Sequence, residues 1–268
     1  MPAEAAPPPA PGPRAVLWDM DGTLVDSEKV WTVALVEVSR DLRRELSPAA
    51  RAAIVGSSVP RTLRILFDDL ELPHDPDAMR TAGERIVART GELFAGGLEW
   101  RPGALDALRA VRAAGLPTAL VTNTGRGLTE QALDSIGREH FDVTVCGDEV
   151  PRGKPDPDPY LRAAQLLGVD PAACLAVEDS PTGALAAERA GAAVLVVECD
   201  VPVPDGPARV RRDSLVGLTA AEVTAGYTAA RGGRPPWNDA AGRSGRTGRS
   251  REREPAAPVL PREMTLDQ

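Results

Sequence analysis

Five short apolar runs punctuate the chain, at residues 15–18, 118–121, 143–146, 174–177 and 193–197. Each is strand-length, and all but the first two are set apart by single helix-length segments, the pattern of βαβ units in a parallel sheet. The segment 103–114 carries Leu105, Leu108 and Val111 at helical spacing and is followed by Gly115. Helices are likewise expected at 127–136, 159–167 and 180–190, closed by Gly137, Gly168 and Gly191. A glycine just past the last turn is the usual helix stop. The fold class expected is α/β, a doubly wound parallel sheet.

One interval breaks the alternation. About 100 residues separate the first run from the second, and they show helical patterns at roughly 28–45, 48–55, 60–70 and 76–92 with no strand signal. A helical domain inserted over 28–98 accounts for this, with hinges at 25–27 and 98–103. Loops leaving the carboxyl ends of parallel strands surround the ligand site. An insertion there acts as a lid that excludes water. The layout expected is a leader at 1–13, a core of 14–27 and 99–228, a helical cap at 28–98, and a tail at 232–268.

Composition sharpens this layout at its ends. Residues 1–13 are almost entirely Pro and Ala, and the tail is rich in Gly, Ser, Pro and Arg without periodicity; both are expected to be disordered. The tail arginines Arg243, Arg246, Arg249, Arg251 and Arg253 lack an aromatic platform and read as solvated. A net charge of -8 argues against a general partner among nucleic acids or acidic membranes. No apolar run approaches the roughly 20 residues of a membrane span, and no signal peptide opens the chain, so cytoplasm is the expected location. Cys146, Cys174 and Cys199 have no metal-ligand spacing and read as buried thiols in a reducing compartment. A monomer or weak dimer is expected.

The densest polar signal, DMDGTLVDSE at 19–28, follows the first strand directly. Asp19 and Asp21 are two apart, so strand geometry places both side chains on one face. Adjacent carboxylates repel, and a hard cation such as Mg²⁺ with oxygen ligands relieves this. Further polar clusters follow later strands: VTNT at 121–124, GKPDP at 153–157 and VEDSPTG at 177–183. In a parallel sheet these ends share one edge. Asp19, Asp21, Thr122, Asn123, Lys154, Glu178 and Asp179 would then form a cation site with one fixed lysine. Metal and lysine to neutralise charge, with hydroxyl or amide donors for oxygens, is what a phosphoryl group needs.

In these four motifs the chain resembles the haloacid dehalogenase superfamily, in the branch of small phosphatases and hexose-phosphate mutases with a helical cap. The matching residues are DMDGT at 19–23, Thr122 in LVTNT, Lys154 in GKPDPDPY, and Glu178 with Asp179 in VEDSPTG. The resemblance runs from about residue 14 to 228. It implies that Asp19 attacks phosphorus to form an aspartyl phosphate, and that Asp21 protonates the leaving oxygen and then activates water. It implies Mg²⁺ on Asp19, Asp179 and the main chain of Asp21, with Glu178 beside or behind, and phosphate held by Thr122, Asn123 and Lys154. The substrate implied is a small phosphorylated metabolite, a sugar phosphate among the candidates.

The acceptor is either water, as in a phosphatase, or a sugar, as in a mutase of the β-phosphoglucomutase type; a non-catalytic binding module is the third class. Related mutases place a histidine where this chain has Trp31, and a cap arginine where it has Val59. Both departures favour water, with Arg61 or Arg64 as the possible replacements for the arginine. His74 and His140 are isolated and read as surface or local structural residues, and Trp18 as core.

Overall fold

Every strand of the sheet is short, and all five pairings run parallel. The computed structural model describes residues 12–232, apart from 43, 55, 56, 198 and 200 and the side chain of Glu28. Most of the leader, the tail from residue 233 with its five arginines, and Gly56 lie outside the described residues.

In chain order the elements are β1 (Ala15–Trp18), α1 (Glu28–Asp41), α2 (Pro48–Ile54), α3 (Val59–Asp69), α4 (Pro76–Phe94), α5 (Ala104–Ala113), β2 (Thr118–Val121), α6 (Arg126–Ile136), β3 (Val143–Val145), α7 (Asp158–Leu167), β4 (Cys174–Glu178), α8 (Pro181–Ala190), β5 (Ala193–Val197), β6 (Arg209–Arg212) and α9 (Ala220–Ala230). The sheet order is β3-β2-β1-β4-β5-β6. Strands are added in one direction from β1 to β3, then the chain crosses to the other side of β1. The order therefore reverses between β1 and β4, which is where an open α/β sheet binds its ligand.

Period-two alternation divides the core into two layers. Val16, Trp18, Leu120, Leu175 and Val177 pack with α5, α6 and α9, whereas Ala15, Leu17, Ala119, Val121 and Ala176 pack with α7 and α8. The α8 layer is built largely from alanine, which lets helix and sheet approach closely. With both faces covered, the strands read as uninterrupted apolar runs.

Helices α1 to α4 build a cluster of their own around Leu35, Leu66, Phe67, Leu70 and Ile86. The helix α4 is started by Asp75, whose carboxylate accepts from the Ala78 amide at 2.8 Å, with Pro76 in the first turn. The two connections between this insertion and the sheet run side by side. The Asp26 amide donates to the Glu99 carbonyl at 3.0 Å, and the Arg101 amide to the Leu24 carbonyl at 2.8 Å. Both expected hinge segments thus meet in one antiparallel bridge, Val25 to Trp100.

Several expectations need adjustment. β3 ends at Val145, so Cys146 lies past it, and α1 stops at Asp41 rather than near 45. β6 and α9 were not anticipated. β6 reads RVRR and has a single apolar position; Arg209 and Arg212 are neutralised by Glu188 and Glu222. α9 is started by a reciprocal capping box between Thr219 and Glu222. No helix among the described residues is long and apolar enough to cross a membrane.

Candidate active site

The carboxyl ends of β1, β2 and β4 bring the polar motifs together, as the parallel topology requires. Asp19 follows β1 directly, and its amide is tied to the Val177 carbonyl of β4 at 3.0 Å. Lys154 reaches across from the loop before α7. Its ammonium donates to Asp19 Oδ1 at 2.6 Å, to Glu178 Oε1 at 2.6 Å and to the Val121 carbonyl at 2.8 Å. Lys154, Asp19, Glu178 and Asp179 are all buried.

One ammonium shared between two buried carboxylates cannot neutralise both. Burial is the main reason that the Asp19 carboxyl is pushed up to about 8, with Lys154 opposing and Glu178 and Asp21 adding to the rise. Burial alone would push the Lys154 ammonium down, but Asp19 and Glu178 outweigh it and hold the group well above its ordinary value. Asp19 Oδ2 is buried and has no hydrogen-bond partner.

A third carboxylate joins them. One oxygen each from Asp19, Glu178 and Asp179 lies within 4.8 Å of the other two. Two glycines make this crowding possible. At Gly22, where φ is +85°, a Cβ would sit 2.1 Å from Asp179 Oδ2, and at Gly183 it would sit 1.9 Å from Glu178 Oε1. Real side chains tolerate neither approach, so each glycine leaves the space that the carboxylate beside it occupies. Thr23 donates to Asp179 Oδ1 at 3.3 Å.

Glu178 is already committed on both oxygens. Oε1 accepts from Lys154 and from the Tyr160 hydroxyl at 2.5 Å, and Oε2 accepts from Ser180 at 3.2 Å. Ser180 also caps α8 by accepting from the Gly183 amide. Glu178 therefore sits at the positive end of that helix. Asp21 is placed differently. Its side chain accepts from Ser27 at 2.5 Å, from Thr122 at 2.8 Å and from Thr124 at 2.9 Å, and it stands outside the three-carboxylate cluster. Of the expected metal ligands, the Asp21 side chain is the one engaged by three hydroxyls rather than grouped with the other carboxylates.

Asn123 has a positioning geometry. Its side-chain oxygen accepts from the Lys154 amide at 2.7 Å, and its amide group donates to the Lys154 carbonyl at 3.1 Å. This bracket fixes the loop that delivers the lysine. Thr124, Ser27 and Tyr160 were not singled out by sequence. Thr124 and Ser27 stood inside quoted motifs, VTNT and DSE, but hydroxyl residues near a turn are too common to flag alone. Tyr160 is buried on α7 with the Lys154 ammonium 5.1 Å from its ring centroid, and only the assembled core reveals it.

A cavity of about 350 Å³ opens from these residues toward α1, α2 and α4. Asp19, Asp21, Asn123, Thr124, Lys154 and Ser180 line one end; Trp31, Leu35, Ile54, Val59, Val87 and Phe94 line the other. Arg61 and Arg64 are exposed and do not line the cavity. Arg51 of α2 does.

A buried nucleophile candidate, a fixed lysine and clustered carboxylates at the switch point of a parallel sheet define a hydrolase of the haloacid dehalogenase class. The family model for haloacid dehalogenase-like hydrolase matches residues 13–191. The chain belongs to this family, in its helical-cap subgroup, and is an enzyme of phosphatase type. It is 33% identical over 182 residues to the phosphorylated carbohydrates phosphatase of Thermotoga maritima, covering 66% of this chain and 82% of that one. It is 30% identical over 223 residues to hexitol phosphatase B of Escherichia coli K12, covering 78% and 96%. Among solved structures, it is similar to CbbY from Rhodobacter sphaeroides in complex with phosphate, with TM-score 0.66 and 28% identity over 77% and 96% of the two chains.

Proposed function

We propose that this enzyme is a Mg²⁺-dependent phosphomonoester hydrolase that acts on a small phosphorylated metabolite through an aspartyl phosphate on Asp19. The observation that carries this reading is the asymmetry of the Asp19 carboxylate: Oδ1 is pinned by Lys154, and buried Oδ2 has no partner. A buried carboxylate oxygen is costly to leave unsatisfied, so such an atom marks a place for a cation or a reacting centre.

The donor set suits Mg²⁺, a hard cation that takes oxygen ligands. Asp19 and Asp179 would hold it, with Glu178 behind them because hydrogen bonds already engage both its oxygens. The ion supplies charge neutralisation at the phosphoryl oxygens.

The chain's own groups then divide the work. A carboxylate oxygen of Asp19 forms a bond to phosphorus as the bond from phosphorus to the leaving oxygen breaks. Lys154 screens the charge that would otherwise oppose this attack. Asp21 gives its proton to the leaving oxygen, which departs as an alcohol. The Asp21 carboxylate next takes a proton from water as water bonds to phosphorus, and the bond to Asp19 breaks to release phosphate. Ser27, Thr122 and Thr124 hold Asp21 in place for both transfers. Lys154 is the group suited to the phosphate oxygens, with Asn123 fixing it, while the hydroxyl of Thr122, also expected there, donates to Asp21. The insertion, residues 28–98, serves as the cap that closes the cavity and excludes water other than the nucleophile.

Water as acceptor is supported by Trp31 and Val59 on the cavity wall, the positions where related mutases place a histidine and an arginine, although Arg51 reaches the cavity from α2. Phosphate release from a panel of phosphorylated metabolites tests the reading, run with Mg²⁺ and with excess chelator. Release that requires Mg²⁺ is expected. Conversion of β-glucose 1-phosphate to glucose 6-phosphate with little free phosphate would assign the mutase instead.

A further inference from the structure

The cavity's two ends differ in what they offer a ligand, and the cap end bears on the leaving group. Its wall is formed by Trp31, Leu35, Leu46, Ile54, Val59 and Phe94. The few hydroxyls among the lining residues are mostly occupied. Thr90 donates to the Ile86 carbonyl at 2.8 Å, Ser57 is paired with Thr62 at 2.7 Å, and Thr124 serves Asp21. A polyol buried against this wall would lose water from each hydroxyl and find few replacements, at a cost of about 1–3 kcal/mol for each unpaired group.

One charge interrupts the apolar surface. Arg51 lines the cavity from α2. Its Nε donates to the Leu46 carbonyl at 3.1 Å, which orients the guanidinium, and among the described residues no carboxylate lies within ion-pairing distance of it. A guanidinium held by one edge presents its remaining N–H groups as a fork suited to an oxyanion.

We infer that the preferred substrate is a phosphomonoester whose leaving alcohol has an apolar body ending in one anionic group, rather than a polyol phosphate. The inference rests on the hydrolase reading. It places the phosphate at Asp19 and Lys154, the apolar body against Trp31, Ile54 and Val59, and the anionic end at Arg51. Carboxylate and second phosphate share this chemistry, and paired substrates separate them. Leaving-group choice would be set on the cap wall, where one lost or added contact changes discrimination by roughly 10- to 200-fold.

The test uses the full-length enzyme with Mg²⁺ and primary phosphate esters of equal chain length. Their far ends carry a methyl, a carboxylate or a second phosphate, and the fourth member is a hexitol 6-phosphate. The expected kcat/KM places an anionic-ended ester above the methyl ester, and both above the hexitol ester, with about tenfold or more between first and last. Whichever anionic ester is faster identifies the group that Arg51 takes. Arg51→Gln should collapse the ratio of anionic to methyl ester to within about twofold. Trp31→Ala should collapse the ratio of methyl to hexitol ester; Val59→Thr, which adds a hydroxyl to the wall at a half-buried position, repeats that measurement. A hexitol ester that is fastest, or variants that leave both ratios unchanged, would overturn the inference. Failure of all four esters and of para-nitrophenyl phosphate to release phosphate would overturn the hydrolase reading, and this inference with it.

Discussion

The two ends of the cavity are built by opposite means. At the sheet end, Lys154, Asp19 and Glu178 are buried, charged and cross-linked by hydrogen bonds of 2.6 Å. At the cap end, Trp31, Ile54 and Val59 offer shape and little else, with Arg51 the charged exception. The sheet end is fixed because four elements must each deliver a group to within a few tenths of an ångström. The cap end is adjustable because an apolar wall can exchange one side chain for another at modest cost. Chemistry and selectivity are therefore separable, and substitutions at the two ends should differ in size and in kind.

The largest effect belongs to Asp19→Asn. An amide oxygen is a poor nucleophile, so kcat for phosphate release should fall by at least about 10⁴-fold while the circular dichroism spectrum stays unchanged. Lys154→Met comes next and should damage both function and fold. It leaves the Asp19 and Glu178 carboxylates buried without their cation, which typically costs about 3–5 kcal/mol, so chemical denaturation should show the loss directly. If Lys154→Met were as stable as the wild type, the sheet end would not be the rigid unit described.

A smaller effect links pH to metal. Because the Asp19 carboxyl is raised from 3.8 to about 8, the folded metal-free enzyme holds a proton that the unfolded chain releases between those values. The Asp19 contribution to stability without metal should then be full below about pH 4 and decline as pH rises toward 8. Mg²⁺ favours the ionised carboxylate and cancels that decline, so the Mg²⁺-induced rise in Tm should grow with pH across the same window. A rise independent of pH would break the link between Asp19 and the cation. The smallest effect is expected at the cap wall. Ile54→Val removes one methyl from the apolar surface and should shift KM by a few-fold with kcat nearly unchanged.

The sheet end was legible in the sequence because each of its residues follows an apolar strand within a short motif. Parallel pairing then forces Asp19, Thr122, Lys154 and Asp179 onto one edge. Gly22 and Gly183 were legible as motif glycines, but their purpose as room for Asp179 and Glu178 required coordinates. The cap end was not legible. Arg61 and Arg64 stood close to the expected clamp position in sequence, yet α3 turns both outward, while Arg51 reaches the cavity from a different helix. Helical side-chain direction depends on how α2 and α3 pack, and no local pattern encodes that. β6 escaped for a related reason: an edge strand with one buried valine and three arginines has no apolar run to detect.

The central claim is that Asp19 carries the phosphoryl group during turnover. Wild-type enzyme turning over para-nitrophenyl phosphate with Mg²⁺ can be quenched in acid, reduced with borohydride and mapped by peptide mass spectrometry. An acyl phosphate on Asp19 is reduced to the alcohol, so homoserine at position 19, absent from the Asp19→Asn variant and from enzyme without substrate, is the result this account predicts. Phosphate release under the same conditions with an unmodified Asp19, or with the label on another residue, would contradict it.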